Sequence, residues 1–147
     1  MLLISKTCNY GIRAALYVAS KTDLQFVPIR KISADLKISF HFLTKILQVL
    51  TQKNIMASYR GPKGGVSLAK PPSSITILEI IEAIDGLNLF QGCILGLPEC
   101  NNSNPCPLHE KWAFMREELK TTFQQANLSE LTQRIKDFGL RISEPRY

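Results

Sequence analysis

The sequence predicts a mainly α-helical chain that carries one small β-hairpin. Apolar residues recur at helical spacing through most of its 147 residues. Two short strand-like segments, residues 55–59 and 66–69, flank a glycine-rich turn and predict the hairpin. Three of the four cysteines lie in a stretch rich in Gly, Pro and Asn, residues 93–109, which predicts a loop between the earlier helices and the last ones.

Residues 4–20 predict the first helix, because their apolar side chains form a single stripe. That stripe consists of Cys8, Ile12, Ala15, Leu16 and Ala19. Cys8 lies near the start of the helix, and two interpretations of it remain open. It is either a buried core thiol or a metal ligand whose thiolate is stabilised by the helix dipole.

Two short helices follow, joined by a tight turn. Pro28 suits the first turn of one helix, which is expected to end near residues 37–38, and Ser39 is expected to cap the next helix with its hydroxyl. That third helix has an apolar side formed by Phe42, Leu43, Ile46, Leu47 and Leu50. Its opposite side is polar and carries His41, Thr44, Lys45 and Gln48. Such a pair followed by the hairpin is typical of a winged helix-turn-helix.

Positive charge is concentrated in this part of the chain. Residues 30–70 contain eight basic residues and one acidic residue, whereas the rest of the chain contains ten basic and eleven acidic residues. Two of the basic residues, Arg60 and Lys63, lie in the turn of the hairpin, the wing. The net charge of +6 therefore comes from one segment, which favours a polyanion such as double-stranded DNA as the partner.

A further helix is predicted directly after the wing. Thr76 and Glu79 have the spacing of a capping box, and Ile75 and Ile80 can form the hydrophobic staple that accompanies it. Gly86 is expected just past the end of this helix. We expect the helix to connect the winged domain to the cysteine loop.

The cysteine loop has the spacing Cys93-x6-Cys100-x5-Cys106-x2-His109. Soft thiolates on a flexible loop suit an iron–sulfur cluster or zinc. Zinc sites usually contain a closer pair of cysteines, so we rank a cluster first, structural zinc second and a bare thiol sensor third. Disulfides are not expected in a chain that we interpret as intracellular.

The last part of the chain predicts a helix with a narrow apolar seam, because apolar residues recur at gaps of three and four. The seam contains Leu108, Trp112, Met115, Leu119, Thr122 and Ala126. Few other helices are left to cover it, so we expect a homodimer contact rather than packing within the monomer. Cys106 is expected at the N-cap of this helix, and Ser129 is expected to cap a final helix that Gly139 stops.

The chain is therefore divided into three parts. Residues 1–86 form a DNA-binding winged helix-turn-helix, 87–107 the cysteine-rich loop, and 108–147 the dimerisation helix with the C-terminal helix. No apolar run reaches membrane-spanning length and no cleavable signal sequence is recognised, so we expect a cytoplasmic protein. An enzyme is not expected, because the sequence shows no nucleophile–base pair and no phosphate-binding loop.

These features together resemble the Rrf-two family of winged-helix transcriptional regulators. The resemblance is carried by residues 10–19, 38–47, 59–68 and 77–85 and by the three-cysteine loop. Its most specific part is the wing sequence Arg-Gly-Pro-Lys-Gly-Gly followed by three spaced cysteines. The resemblance implies a homodimeric regulator that senses redox state, nitric oxide or iron and cluster status through an iron–sulfur cluster.

The resemblance also implies site residues. Cys93, Cys100 and Cys106 would hold a [2Fe–2S] or [4Fe–4S] cluster. In some members the fourth ligand is a histidine at the position of His109, and in others it is an acidic residue from the first helix of the partner subunit. Here Cys8 falls near the place of that acid, so we place Cys8 first and His109 second.

The DNA contacts implied are those of a recognition helix in the major groove and a wing beside it. For the recognition helix, the resemblance supports Ser39, His41 and Lys45 most directly. Thr44 and Gln48 are further candidates on the same helix. Arg60 and Lys63 on the wing would follow the minor groove or the DNA backbone. A two-fold dimer implies a palindromic operator. The alternative is a winged-helix regulator that contains structural zinc or bare thiols and responds to a small molecule or a partner protein.

Overall fold

The computed structural model describes residues 3–143 and, within that range, confirms a mainly helical fold with one two-stranded hairpin. The helices are α1 (Lys6–Ser20), α2 (Ile29–Leu36), α3 (Phe40–Gln52), α4 (Ile77–Asp85), α5 (His109–Gln125) and α6 (Leu128–Phe138). The strands are β1 (Met56–Tyr59) and β2 (Gly65–Leu68), and short 3-10 turns occupy Pro72–Ser74 and Asn88–Phe90.

One apolar core joins α1, α3 and α4, because each helix turns its apolar stripe toward the other two. Leu43, Ile46 and Ile80 are fully buried in this core. Burying each such side chain stabilises the fold by roughly 1.5–3 kcal/mol relative to leaving it exposed. Gly11 lies where α1 approaches α4, since a Cβ there would come within 2.4 Å of the Ile84 side chain.

The turn between α2 and α3 is built without glycine. Lys37 takes the left-handed conformation with φ of 55° and closes α2 by donating its N–H to the Ser33 carbonyl. Ser39 occupies the N-cap position of α3 as predicted, but its side chain makes no capping hydrogen bond, so that part of the prediction is wrong. The N-terminal end of α3 is exposed, so water can accept hydrogen bonds from its free backbone N–H groups instead.

The wing is the antiparallel pair of β1 and β2, in which Tyr59 lies opposite Gly65. Val27 joins it as a third extended segment, exchanging two backbone hydrogen bonds of 2.8 and 2.9 Å with Val66. Gly65 must be glycine, because a Cβ there would lie 2.2 Å from the Val27 carbonyl oxygen. The last of the three wing glycines is therefore set by contact with the backbone before α2 rather than by the turn itself.

The capping box of α4 is confirmed, with Thr76 and Glu79 bonded reciprocally, and Gly86 ends that helix. The start of α4 also pairs with the α5–α6 connection. Ile77 donates to the Ala126 carbonyl at 2.9 Å, and Leu128 donates to the Ile75 carbonyl at 3.0 Å. The C-terminal helices are thereby attached to the winged domain.

Two predicted helix starts are wrong by two residues. The N-cap of α5 is Leu108 rather than Cys106, because residues 106–109 still form a turn in which His109 donates to the Cys106 carbonyl. The N-cap of α6 is Asn127 rather than Ser129, and its side chain accepts the Glu130 N–H at 2.9 Å. In α6 the backbone pairing with α4 fixes where the helix begins. Gly139 closes α6 in the left-handed conformation, as predicted.

Candidate nucleic-acid interface and cysteine loop

The polar side of α3 is open to solvent next to the wing. His41, Lys45 and Gln48 are exposed, as a helix that enters a DNA groove requires. Thr44 is half-buried, and its hydroxyl donates to the Phe40 carbonyl at 2.8 Å within the helix. Thr44 therefore presents mainly its methyl group, whereas the other three side chains are free to reach base edges or phosphates.

A cleft of 880 Å³ lies between α3, along its length from Phe40 to Gln52, and the wing. Thr44, Gln48 and Arg60 line it together, whereas Ser39, His41, Lys45 and Lys63 lie outside it on the exposed surface. The turn end of the wing is supported by a stacked pair, Phe26 and Tyr59, with ring centroids 5.1 Å apart. Three of the seven predicted DNA-contacting side chains thus share one cleft, and the other four are exposed outside it.

Arg30 is a basic residue of this face that sequence reasoning did not place in the interface. It is the second residue of α2, lines the cleft, and lies over the Phe40 ring with its guanidinium carbon 4.7 Å from the ring centroid. The cation–π contact holds the guanidinium at the N-terminus of α3, where a phosphate is also favoured. The available signal was a basic residue two positions after Pro28, in the first turn of a predicted helix, but only the fold brings α2 and α3 together there.

The cysteine loop is held at its beginning by side chains of α5. Phe90 is buried against Phe123, and the indole nitrogen of Trp112 donates to the Gly92 carbonyl at 2.8 Å. Arg116 donates to the same carbonyl at 3.0 Å. These contacts fix where the loop leaves the helical body, and they place Cys93 next to α5.

The loop brings its predicted ligands together as two pairs. The Cys93 and Cys106 sulfurs are 3.7 Å apart, and the Cys100 sulfur is 3.3 Å from Nδ1 of His109. Within residues 3–143 no three His, Cys, Asp or Glu side chains come close enough together to form a metal site. The loop therefore presents paired donors rather than a single closed cage.

His109 is oriented by a residue that sequence reasoning missed. Its ring is 8% exposed, and Nε2 lies 2.9 Å from Oδ1 of Asn102. If the imidazole is protonated at Nε2, that N–H donates a hydrogen bond to the Asn102 side-chain oxygen. The lone pair of Nδ1 is then directed at Cys100 and is available to a metal. The sequence did not indicate this role of Asn102, because Asn is common in loops, where its side chain bonds the nearby backbone.

The Cys93 sulfur is surrounded by backbone donors. The N–H groups of Leu97 and Leu95 lower the pKa of this thiol below its ordinary value. This turn therefore favours the thiolate, which is the form of cysteine that binds iron or zinc in proteins.

Cys8 has different surroundings. It is fully buried on α1 among core residues, and burial together with the Asp85 carboxylate raises the pKa of its thiol to about 12. Its backbone N–H is bound by the Ser5 hydroxyl at 3.0 Å. These are the surroundings of a core thiol, which was the first of the two interpretations of Cys8.

The predicted seam of α5 is only partly covered within the chain. Trp112 and Leu119 are half-buried, whereas Leu108 and Met115 are 43% and 56% exposed. Phe114, which the seam did not include, is also exposed. The helix thus packs inward along one edge and leaves an apolar edge open. No helix in the described range is long and apolar enough to cross a membrane.

Comparisons with known proteins agree with this architecture. The model of the Rrf2 family, described as iron-dependent transcriptional regulator, matches residues 4–134. The HTH-type transcriptional regulator IscR of Klebsiella pneumoniae is 33% identical over 131 residues, which cover 89% of this chain and 79% of that protein. CymR, the global cysteine regulator of B. subtilis, superposes with a TM-score of 0.75 at 24% identity, covering 90% of this chain and 98% of CymR. IscR of T. potens superposes equally well, with a TM-score of 0.75 at 17% identity and coverage of 94% and 91%.

Proposed function

The chain belongs to the Rrf2 family of DNA-binding transcriptional regulators, and on that premise we propose that it is a homodimeric regulator whose operator affinity depends on an iron–sulfur cluster. The physiological signal would be redox state, nitric oxide or the supply of iron and clusters. Members of the family are regulators rather than enzymes, so the chemistry to be explained is binding and its control.

DNA binding is supported by the face that α3 and the wing form. We propose that Ser39, His41, Thr44, Lys45 and Gln48 lie in or beside the major groove and that Arg60 and Lys63 follow the neighbouring backbone. Arg30 joins this set, because it lies beside the N-terminus of α3. The excess positive charge of residues 30–70 supplies sequence-independent affinity that falls with salt.

Cluster binding is supported by the donor set of the loop. Three thiols and one imidazole, already paired as Cys93 with Cys106 and Cys100 with His109, are soft ligands of the kind that iron–sulfur clusters take. The pairing is the single observation that carries this proposal. When bound, the cluster would supply redox and nitric oxide chemistry, while Trp112 and Arg116 connect its loop to α5.

The proximity of His109 to Cys100 supports His109 as the fourth ligand over Cys8. His109 lies beside the loop cysteines and Asn102 orients its ring, whereas Cys8 is closed off in the core. For Cys8 to bind a cluster, whether its own or that of a partner subunit, α1 would have to expose a side chain that is now fully buried. We therefore propose His109 and keep Cys8 as the alternative.

The test is a metal analysis of protein purified without oxygen. We expect a coloured protein with bound iron and acid-labile sulfide, and we expect a Cys100→Ala variant to lose both. The same preparations are then titrated with a DNA duplex selected in vitro from a random library. Cluster-loaded and cluster-free protein should differ in affinity for that duplex.

Structural zinc is the alternative outcome of this experiment. A colourless protein that contains zinc without iron or sulfide would overturn the cluster proposal and leave a zinc-containing regulator of the same fold. A protein that contains iron and sulfide but binds the duplex equally with and without them would overturn the sensing role alone.

A further inference from the structure

We infer that Arg116 is a positioning residue that sets the reduction potential of the cluster through the sulfur of Cys100. This inference rests on the proposed cluster and assigns a role to a residue outside the ligand set. Arg116 lies on α5, two turns after His109, and is half-buried beside the loop.

The contacts of Arg116 all converge on the cysteine loop. Its Nη1 shares two N–H groups among three acceptors, the Cys100 sulfur at 3.1 Å, the Gly92 carbonyl at 3.0 Å and the Gln91 carbonyl at 3.1 Å. The two carbonyls fix the guanidinium at the start of the loop. With the head group fixed there, the N–H bond to sulfur is held in place rather than sampled by a flexible surface side chain.

The charge of Arg116 is not neutralised by a nearby carboxylate. Among residues 3–143 the ion pairs within 4 Å are Lys31 with Asp35 and Lys70 with Glu79 only. A cluster bound by thiolates adds negative charge at this place, and its reduced form carries one more negative charge than its oxidised form. A fixed cation that hydrogen-bonds a ligand sulfur therefore stabilises the reduced form more.

Arg116 and Trp112 both attach the loop to α5, but only Arg116 donates to a cysteine sulfur. Trp112 donates to the Gly92 carbonyl, and within residues 3–143 no hydrogen bond joins it to a loop sulfur. If fastening the loop were all that mattered, losing either side chain would have a similar effect. If the bond to sulfur matters, only the loss of Arg116 should shift the potential strongly.

The experiment compares cluster-loaded wild type with Arg116→Gln, Arg116→Lys, Trp112→Phe and Lys111→Gln. Lys111→Gln removes one exposed positive charge from the same helix and is the charge control. The readouts are the midpoint potential from a redox titration and the Fe–S stretching bands in the resonance Raman spectrum. Circular dichroism of each variant checks that it is folded.

We expect Arg116→Gln to move the midpoint potential to more negative values and to shift the Fe–S bands. Arg116→Lys, which keeps the charge, should lie between that variant and wild type. Trp112→Phe should change the potential less than Arg116→Gln, and Lys111→Gln should match wild type. If Arg116→Gln does not fold, the lysine variant decides the question on its own by the same two readouts.

Three results would overturn the inference, and they are distinguishable. Iron and sulfide in the wild type, with the same potential and bands in both Arg116 variants, would reject the role of Arg116 and leave the proposed function intact. A wild-type protein that takes up no iron would reject the proposed function and the inference with it. Equal shifts in Arg116→Gln and Trp112→Phe would reduce Arg116 to a loop fastener and reject the role through sulfur.

Discussion

At the scale of single residues, the basic side chains around α3 and the wing differ in how they are held. Arg30 is fixed over the Phe40 ring, whereas Lys45 and Lys63 extend freely into solvent. A fixed guanidinium loses less conformational entropy when it meets a phosphate than a free lysine does. Each phosphate contact made by Arg30 should therefore contribute more to DNA affinity than one made by Lys45 or Lys63.

Arg60→Ala should weaken DNA binding broadly, because the wing arginine is expected to contact phosphate rather than a base edge. Loss of one phosphate contact should reduce the slope of log affinity against log salt by about 1. Fluorescence anisotropy titrations at several salt concentrations measure this slope. Arg134→Ala on α6 removes the same charge away from the interface and should leave the slope unchanged; equal slopes in both variants would reject the wing contact.

His109→Ala should reduce cluster content and change the visible absorption spectrum of protein purified without oxygen. Cys8→Ser should keep the spectrum, although it is expected to lower stability because it places a hydroxyl in the core. Iron and sulfide analysis with thermal unfolding separates the two effects. The opposite result, a spectrum that is kept in His109→Ala and lost in folded Cys8→Ser, would make Cys8 the fourth ligand.

At the scale of elements, the wing depends on a close backbone approach between β2 and the segment before α2. Val27 and Val66 exchange two hydrogen bonds, and the stacked Phe26 and Tyr59 rings lie beside them. The wing is therefore part of the domain framework and not an independent two-stranded hairpin, which would be marginal by itself.

Gly65→Ala should destabilise the domain by at least about 3 kcal/mol, because its Cβ would meet the Val27 carbonyl oxygen at 2.2 Å. Gly61→Ala is the matched control. Gly61 also has positive φ, at 122°, but no atom lies within 4 Å of the added Cβ, so backbone strain of about 1 kcal/mol is the expected cost. Urea unfolding measures the free energy of unfolding of both variants. A similar loss of stability in the two would show that backbone strain, rather than the close approach to Val27, requires glycine at position 65.

At the scale of the whole molecule, the cysteine loop lies between the DNA-binding domain and α5. The loop is fastened to α5 by Trp112 and Arg116, and the α5–α6 connection is paired with the start of α4. The loop is therefore connected directly to α5, which carries the exposed apolar edge, and through the α5–α6 connection to the winged domain. This arrangement is the structural basis on which we expect operator affinity to respond to the cluster.

Met115→Lys should weaken the proposed homodimer at least about tenfold, equivalent to about 1.4 kcal/mol, because it places a charge on the exposed apolar edge of α5. Analytical ultracentrifugation over a concentration series measures the monomer–dimer equilibrium. Phe138→Lys is the control, since this apolar residue is also exposed but lies at the end of α6, outside the seam. A dimer that is unchanged in Met115→Lys but lost in Phe138→Lys would move the interface to α6.

The sequence by itself determined the order and type of the elements. Apolar periodicity and local signals, such as the Thr76 and Glu79 capping box, act over a few residues, so they are visible in the chain. The same holds for the polar side of α3 and for the spacing of the three cysteines. Helix starts set by distant pairing were missed, as at Asn127, whose position depends on the backbone of α4.

Only the tertiary structure decided which side chains meet. It placed Cys8 in the core, set His109 beside Cys100, and brought Arg116 from α5 to the sulfur of a loop cysteine sixteen residues earlier. It also showed that Gly65, the last glycine of the wing, is required by the close approach of the Val27 backbone. These contacts join residues that are far apart in the chain, and their partners are selected by packing and loop geometry, which no local pattern of residues encodes.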